Sequence, residues 1–281
     1  MKTIVIIPCK NQDEMTNICI NKLKEQSIVP NEILVIDDRS STIDIAEDNL
    51  ISVYHTKDYK IKGRAATRNL GIKIAMSKRA DKIIFMDGDT IPHNKHFIKS
   101  HLKYDNDSLV FGLRQHVFGM GYMKGKLYIE ITSFPRKYPS DLLTSNMDNR
   151  VSHKSMDGTD LRKVSGMVKR FNKPKDFNQM VDYILTGWVC WSCNFSIGRD
   201  ALDKIYQLNN SWFDEKDFND GWGYEDLAFG LDAAFAGVDI KLSDKPVVDH
   251  LVHDRSDELY THIDAKHKIM NRYRKLAFSK K

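Results

Sequence analysis

Over the first ninety positions, short continuous apolar runs alternate with longer stretches of helical rhythm. The runs are Thr3–Ile7, Glu32–Ile36, Ile51–Tyr54 and Lys82–Met86. Runs this short, bounded by charge or proline, read as buried strands. Between them, Asn11–Gln26 has helical apolar positions at Met15, Ile18, Cys19 and Leu23. Arg64–Ser77 is likewise helical, with Ala65, Leu70, Ile72 and Ile74 among its apolar residues. The resulting β-α-β-α order predicts an α/β protein with a doubly wound, mostly parallel sheet.

The pattern then loosens. Residues 113–185 show weak periodicity, several glycines and many charges, and are expected to form an insertion with mobile loops. Asn194–Ile197, Val238–Leu242 and Pro246–Asp249 read as short strands. Gly223–Phe235 reads as a helix on Leu227, Phe229, Leu231 and Ala234, stopped at Gly237. Ser256–Phe278 is expected to be a long charged helix with Ser256 as its N-cap.

Composition narrows the class. A chain of 281 residues with 41% apolar and 29% charged residues fits a globular protein. No apolar run approaches the ~20 residues of a membrane span. The apolar start, Met1 to Pro8, is too short for a signal peptide, so a cytoplasmic location is expected. Four cysteines, two early and two as Cys190-Trp191-Ser192-Cys193, do not make a disulfide framework. The net charge of +5 favours anionic ligands without naming one.

The chemistry concentrates in two acidic pairs. Asp87-Gly88-Asp89 follows the run Lys82–Met86, so its carboxylates fall at a strand's C-terminal end. Open α/β sheets bind ligands there. Paired hard oxygens can hold a divalent cation and leave positions open for phosphate. The same triplet is also ordinary turn chemistry. Glu225-Asp226 opens a predicted helix, where the dipole favours ionised carboxylates. A helix-starting acidic cap is the plainer account of that pair.

Several motifs in order decide between these readings. Val5-Ile6-Ile7-Pro8, Leu34-Val35-Ile36-Asp37-Asp38-Arg39-Ser40-Ser41, Gly63-Arg64-Ala65-Ala66-Thr67-Arg68-Asn69-Leu70-Gly71-Ile72 and Asp87-Gly88-Asp89 are followed by Asn194-Phe195-Ser196 and Gly221-Trp222-Gly223-Tyr224-Glu225-Asp226. Together they resemble a family 2 type glycosyltransferase with the GT-A fold. The last two resemble the galactosyl- and N-acetylgalactosaminyltransferase-like enzymes. The resemblance covers roughly residues 3–100 and 187–255.

The resemblance implies a single GT-A domain. Residues 1–112 would be the nucleotide-sugar half, 113–185 an acceptor-side insertion, 186–255 the acceptor and catalytic half, and 256–281 a terminal helix. It implies a UDP-sugar donor contacted by Pro8, Asp38, Arg64, Arg68, Asn69 and Asp87. It implies Mn²⁺ or Mg²⁺ on Asp89, with Asp87 beside it. A third ligand would be His253, with His250 as the alternative. Asp226 would be the general base and Glu225 would orient the acceptor, with Trp222, Asn194 and Gly223 on the acceptor side. A single base with in-line attack implies inversion at the anomeric carbon.

Rival readings fit less well. Cys190-x-x-Cys193 with His250-x-x-His253 has the ligand types of a zinc site, but the long gap between the pairs fits no common zinc module. No thioredoxin-like context surrounds the cysteines. A nucleotidyltransferase would need a Gly-rich phosphate loop near the first strand, and none is present.

The acceptor stays open. A glycan or polysaccharide fits the relatives. Basic residues cluster between Arg150 and Lys175 and again from Lys266 to Lys281, so a hydroxymethylated base in DNA is an alternative. An inactive carbohydrate- or nucleic-acid-binding module on the same fold is a further alternative, opposed by the intact acidic residues.

Overall fold

The computed structural model describes residues 1–123, 126–129, 166, 168–185, 192–219, 223–253 and 261–279. The predicted strands form in order. They are β1 (Thr3–Cys9), β2 (Glu32–Asp37), β3 (Ile51–His55) and β4 (Lys82–Met86). They lie side by side as β3-β2-β1-β4, all parallel. The apolar runs of β1, β2 and β4 are buried on both faces, as a parallel sheet requires, while the edge strand β3 is buried only at Ile51. Helix Asp13–Lys24 covers one face through Cys19, Ile20 and Leu23 over Val5 and Ile7. Helix Arg64–Ser77 covers the other through Leu70, Ile72 and Ile74 over Ile4, Ile6 and Ile36. A Cβ on Gly71 would lie 2.7 Å from Ile6 Cγ2, so the glycine lets that helix sit directly on β1.

Beyond β4 the sheet is mixed, which the α/β alternation did not foretell. The further strands are β5 (Thr90–Pro92), β6 (Ser108–Met123), β7 (Lys126–Ile129), β8 (Asn194–Gly198) and β9 (Asp239–His253). The order continues β4-β8-β6-β9-β5, with β7 beside β6. β8 is antiparallel to both β4 and β6, β5 is antiparallel to β9, and β6 runs parallel to β9.

Several expectations are corrected here. Residues 113–123, expected within an irregular insertion, continue β6, and Phe177–Leu185 is a helix. Val238–Leu242 and Pro246–Asp249 are two parts of the one strand β9. The pairing with β6 shifts register between them, from Phe111↔Leu242 to Leu113↔Val247. Pro246 is tolerated because it falls at this bulge. Phe97–His101, Arg199–Asn209 and Glu215–Phe218 are further helices that the periodicity did not announce. The helix expected over Gly223–Phe235 starts at Glu225, and the terminal helix spans Thr261–Ser279. Ser256 lies outside the described residues, as does most of the basic Arg150–Lys175 stretch. Among the described residues no helix is long and apolar enough to cross a membrane.

Candidate active site

The chain leaves β4 through Asp87-Gly88-Asp89, and the triplet is packed from beneath. A Cβ on Gly88 would meet Thr16 Oγ1 at 2.3 Å, so only glycine allows the first helix this close to the turn. Asp89 is 8% exposed, with Oδ2 3.3 Å from His250 Nε2. The β5–β9 ladder sets that meeting, because Thr90 is paired with His250. Of the two candidate histidines, His250 is the one described beside Asp89; the side chain of His253 lies outside the described residues.

Asp87 turns to Arg68, whose Nη2 is 3.2 Å from its Oδ1. Burial raises the Asp87 carboxyl, and Arg68 opposes that rise. Arg68 is only 5% exposed. Its Nη2 also donates to Ser192 Oγ at 2.8 Å, and its Nη1 is 3.3 Å from Glu225 Oε1. Burial would discharge the guanidinium, but Glu225 and Asp87 hold it charged. Arg68 thus joins the acidic end of β4 to the helix Glu225–Phe235.

Glu225 is buried, and its Oε2 has no hydrogen-bond partner among the described residues. Asp226 is partly exposed. Its Oδ1 accepts the Leu227 N–H at 2.9 Å, and its Oδ2 lies 3.4 Å from the Ser192 N–H nitrogen. Burial, then the charge of Glu225, pushes the Asp226 carboxyl up to about 7, against the pull of Arg68. Gly223 and Tyr224, which lead into this helix, both have positive φ, at 87° and 70°. Tyrosine rarely adopts that backbone, so the turn into Glu225 is held in a sparsely populated conformation. Trp222 and Gly221 lie outside the described residues.

Cys193 shows that these groups converge. Burial raises its thiol, Arg114 on β6 lowers it, and Asp87, Asp89 and Asp226 all raise it. Ser192 and Arg114 are site neighbours that no sequence motif pointed to, and Cys193 entered only through the rival zinc and redox readings.

At the far edge, Pro8 on β1 pairs with Ile36 on β2. Asp38 Oδ1 accepts the Gly63 N–H at 3.1 Å, just ahead of Arg64. Asp37 is the more buried of the two acids, with Oδ2 3.0 Å from His55 Nδ1 and Oδ1 3.0 Å from the Ser40 nitrogen. Burial raises its carboxyl, but the bonds from His55 and Ser40 outweigh this and hold it below the ordinary range. His55 was not singled out from sequence.

Two candidates have their polar atoms engaged in the fold. Asn69 exchanges bonds with the Phe213 backbone at 2.8 Å each and donates to Glu215 Oε1 at 2.7 Å. Asn194 donates to the Leu113 and Pro246 carbonyls at 2.8 and 2.9 Å and meets His101 Nε2 at 3.0 Å. It closes the β6–β9 bulge, where Gly112 leaves room for its amide. Arg272, from the basic C-terminal cluster, is paired internally with Asp232 and Asp214.

The donor set fits a hard divalent cation: carboxylates one residue apart and one imidazole. Among the described residues Asp89 and His250 stand together, and no group of three such side chains forms a cage. A cation held by that pair keeps positions open for other oxygens.

Comparisons with known proteins agree with this architecture. Residues 4–206 match the family model described as Glycosyl transferase family 2. The O-antigen chain rhamnosyltransferase RfbN of Salmonella typhimurium strain LT2 is 34% identical over 113 residues, covering 39% of this chain and 35% of that protein. Among solved structures, the mannosyltransferase PcManGT from Pyrobaculum calidifontis, in complex with GDP-Man and Mn²⁺, has a TM-score of 0.53 at 12% identity, covering 98% of this chain and 63% of that one. S. aureus TarS 1-349 in complex with UDP-GlcNAc has a TM-score of 0.51 at 16% identity, covering 92% of this chain and 60% of that one. The chain therefore spans about a third of the curated relative's length and less than two thirds of each solved chain. At these identities the solved structures share the fold. The family match takes in most of the sequence, including β1, the Arg64–Ser77 helix and the Asp87–Asp89 triplet, and this chain belongs to glycosyl transferase family 2.

Proposed function

We propose that this chain transfers a sugar, with inversion, from a UDP-sugar to an acceptor hydroxyl on a glycan, with the help of a divalent cation. The observation that carries the reading is the Asp87–Arg68–Glu225 bridge. It sets Asp226, a carboxylate poised near neutrality, beside a strand end suited to a diphosphate. In this reading residues 1–112 bind the donor and 186–255 present the acceptor. The curated relative is a rhamnosyltransferase, and the two solved relatives are described with GDP-Man and UDP-GlcNAc.

Asp226 takes the proton of the acceptor hydroxyl as its oxygen attacks the anomeric carbon. The new C–O bond forms as the bond to the diphosphate breaks, and the diphosphate leaves with the electron pair. A pKa near 7 suits that step, because about half of the base is ionised at neutral pH and the carboxylate is basic enough to accept the proton. Glu225, buried and anchored to Arg68, orients the acceptor by keeping the helix start in place. Arg68 holds Asp87 toward the site and spreads positive charge beneath the leaving group. Asp89 and His250, with Asp87 near, would hold Mn²⁺ or Mg²⁺. Such a cation supplies Lewis-acid stabilisation of the diphosphate charge.

The test is incubation with Mn²⁺ and a panel of UDP-sugars, with and without candidate glycans. Transfer, or slow donor hydrolysis, for at least one donor is expected. Binding of UDP-sugars without any turnover would instead make the chain a silent binding module.

A further inference from the structure

The ion pairs of the C-terminal helix lie away from the site, and the mechanism does not use them. Arg272 grips Asp232 with two parallel bonds, Nε to Oδ1 at 2.8 Å and Nη2 to Oδ2 at 2.5 Å. Its remaining Nη1 donates to Asp214. Asp232 is fully buried on the helix that begins with Glu225 and Asp226. It follows Asp226 by six residues, about 9 Å along the axis.

Asp214 belongs to a different body. Its Oδ1 caps the short helix Glu215–Phe218 by accepting from the Lys216 and Asp217 N–H groups. That segment is locked onto the helix Arg64–Ser77. Asn69 binds Phe213 and Glu215, while Asn219 accepts from the Ala66 N–H at 3.1 Å and donates to the Lys62 carbonyl at 2.6 Å. One guanidinium therefore joins the helix carrying Asp226 to the element seated on the helix carrying Arg68.

Besides the Arg68–Glu225 pair at 3.3 Å, these bodies also meet through an apolar contact. Phe213 stacks on Phe229 with centroids 4.4 Å apart and planes 9° from parallel. Such a stack fixes separation but permits sliding, because apolar attraction has little direction. A planar two-bond fork fixes position as well.

We propose that Arg272 is a positioning residue, which sets where Asp226 stands relative to Arg68 and Asp87 by locking helix Glu225–Phe235 to the Asp214 segment. The catalytic part of this inference rests on the reading of Asp226 as the base. Arg272→Met alone leaves a buried carboxylate unpaired and risks unfolding. The informative variant is Arg272→Met with Asp232→Asn, which removes the fork without stranding the fully buried charge, while Asp214 is partly exposed and keeps its bonds from the Lys216 and Asp217 N–H groups.

Two measurements are made on it. The first, amide hydrogen exchange, needs no substrate. The Ala228–Leu231 amides are expected to exchange about tenfold faster, with β1 amides unchanged. The second is steady-state transfer: turnover is expected to fall about tenfold or more with donor KM within about twofold, and Arg272→Lys to fall between. Unchanged exchange overturns the inference. So does faster exchange with wild-type turnover, since the helix would be anchored without its anchoring mattering to Asp226. If exchange quickens but the wild-type protein transfers no sugar, the anchoring stands and the base reading is what fails.

Discussion

Arg68 Nη1 stands 3.3 Å from Glu225 Oε1, and both side chains are almost wholly out of solvent. Removing one partner of such a pair costs far more than the pair contributes, because the other is left as an uncompensated buried charge. We predict that Arg68→Met destabilises the fold by about 3–5 kcal/mol. Adding Glu225→Gln to it should recover part of that loss. Urea unfolding of the two variants measures this. Equal stability of Arg68→Met and wild type would show that Glu225 is solvated or otherwise paired.

The pH dependence follows from Asp226. Its carboxyl is pushed up to about 7 and, as the proposed base, would act when deprotonated, so kcat/KM should rise through about pH 7 and level off above it. The same shift has an opposite consequence for stability. A folded pKa above the unfolded ~3.9 means stability that is complete below that value and lost as pH rises through about 7. Asp226→Asn should therefore melt higher than wild type at pH 8, by roughly 1–2 kcal/mol after allowing for partial solvent contact, and show little difference at pH 4. Melting curves of both proteins at the two pH values check the sign. A variant less stable than wild type at pH 8 would mean that Asp226 is not strained by burial.

His250, rather than His253, is described beside Asp89. We predict that His250→Ala and Asp89→Asn each abolish the part of UDP affinity that depends on Mn²⁺, while His253→Ala retains it. Calorimetry with Mn²⁺ and with EDTA separates the cases. Equal UDP affinity in EDTA for the wild-type protein would remove the cation from the account.

Asn194 bridges the Leu113 and Pro246 carbonyls and His101 inside the sheet. Asn194→Ala should cost about 2–4 kcal/mol, since it strands one buried and one partly buried carbonyl. Acceptor KM should then change little in whatever protein remains folded. A large rise in acceptor KM at unchanged stability would restore the acceptor-binding role that its motif implies.

The parallel half of the fold was legible because β1, β2 and β4 are buried on both faces and read as apolar runs. The antiparallel half was not. β6 runs through Gly112, Arg114 and other polar positions, and its partner β9 contains Pro246 and a bulge, so neither keeps a clean period. The site was legible through its motifs, as Arg68, Asp87, Asp89, Glu225 and Asp226 do converge. Ser192, His55 and Arg272 were not, because each matters through a partner distant in sequence. Nor can a motif tell a side chain that faces a ligand from one that braces the backbone, as Asn69 and Asn194 do.

The most direct measurement pairs transfer with donor binding in Asp226→Asn. This substitution keeps the side chain's size and removes the base. The account predicts that wild type transfers sugar with inversion, and that the variant loses about 10²–10⁴ in turnover while its affinity for UDP with Mn²⁺ stays near wild type. Wild-type turnover in Asp226→Asn, or transfer with retained anomeric configuration, would contradict it.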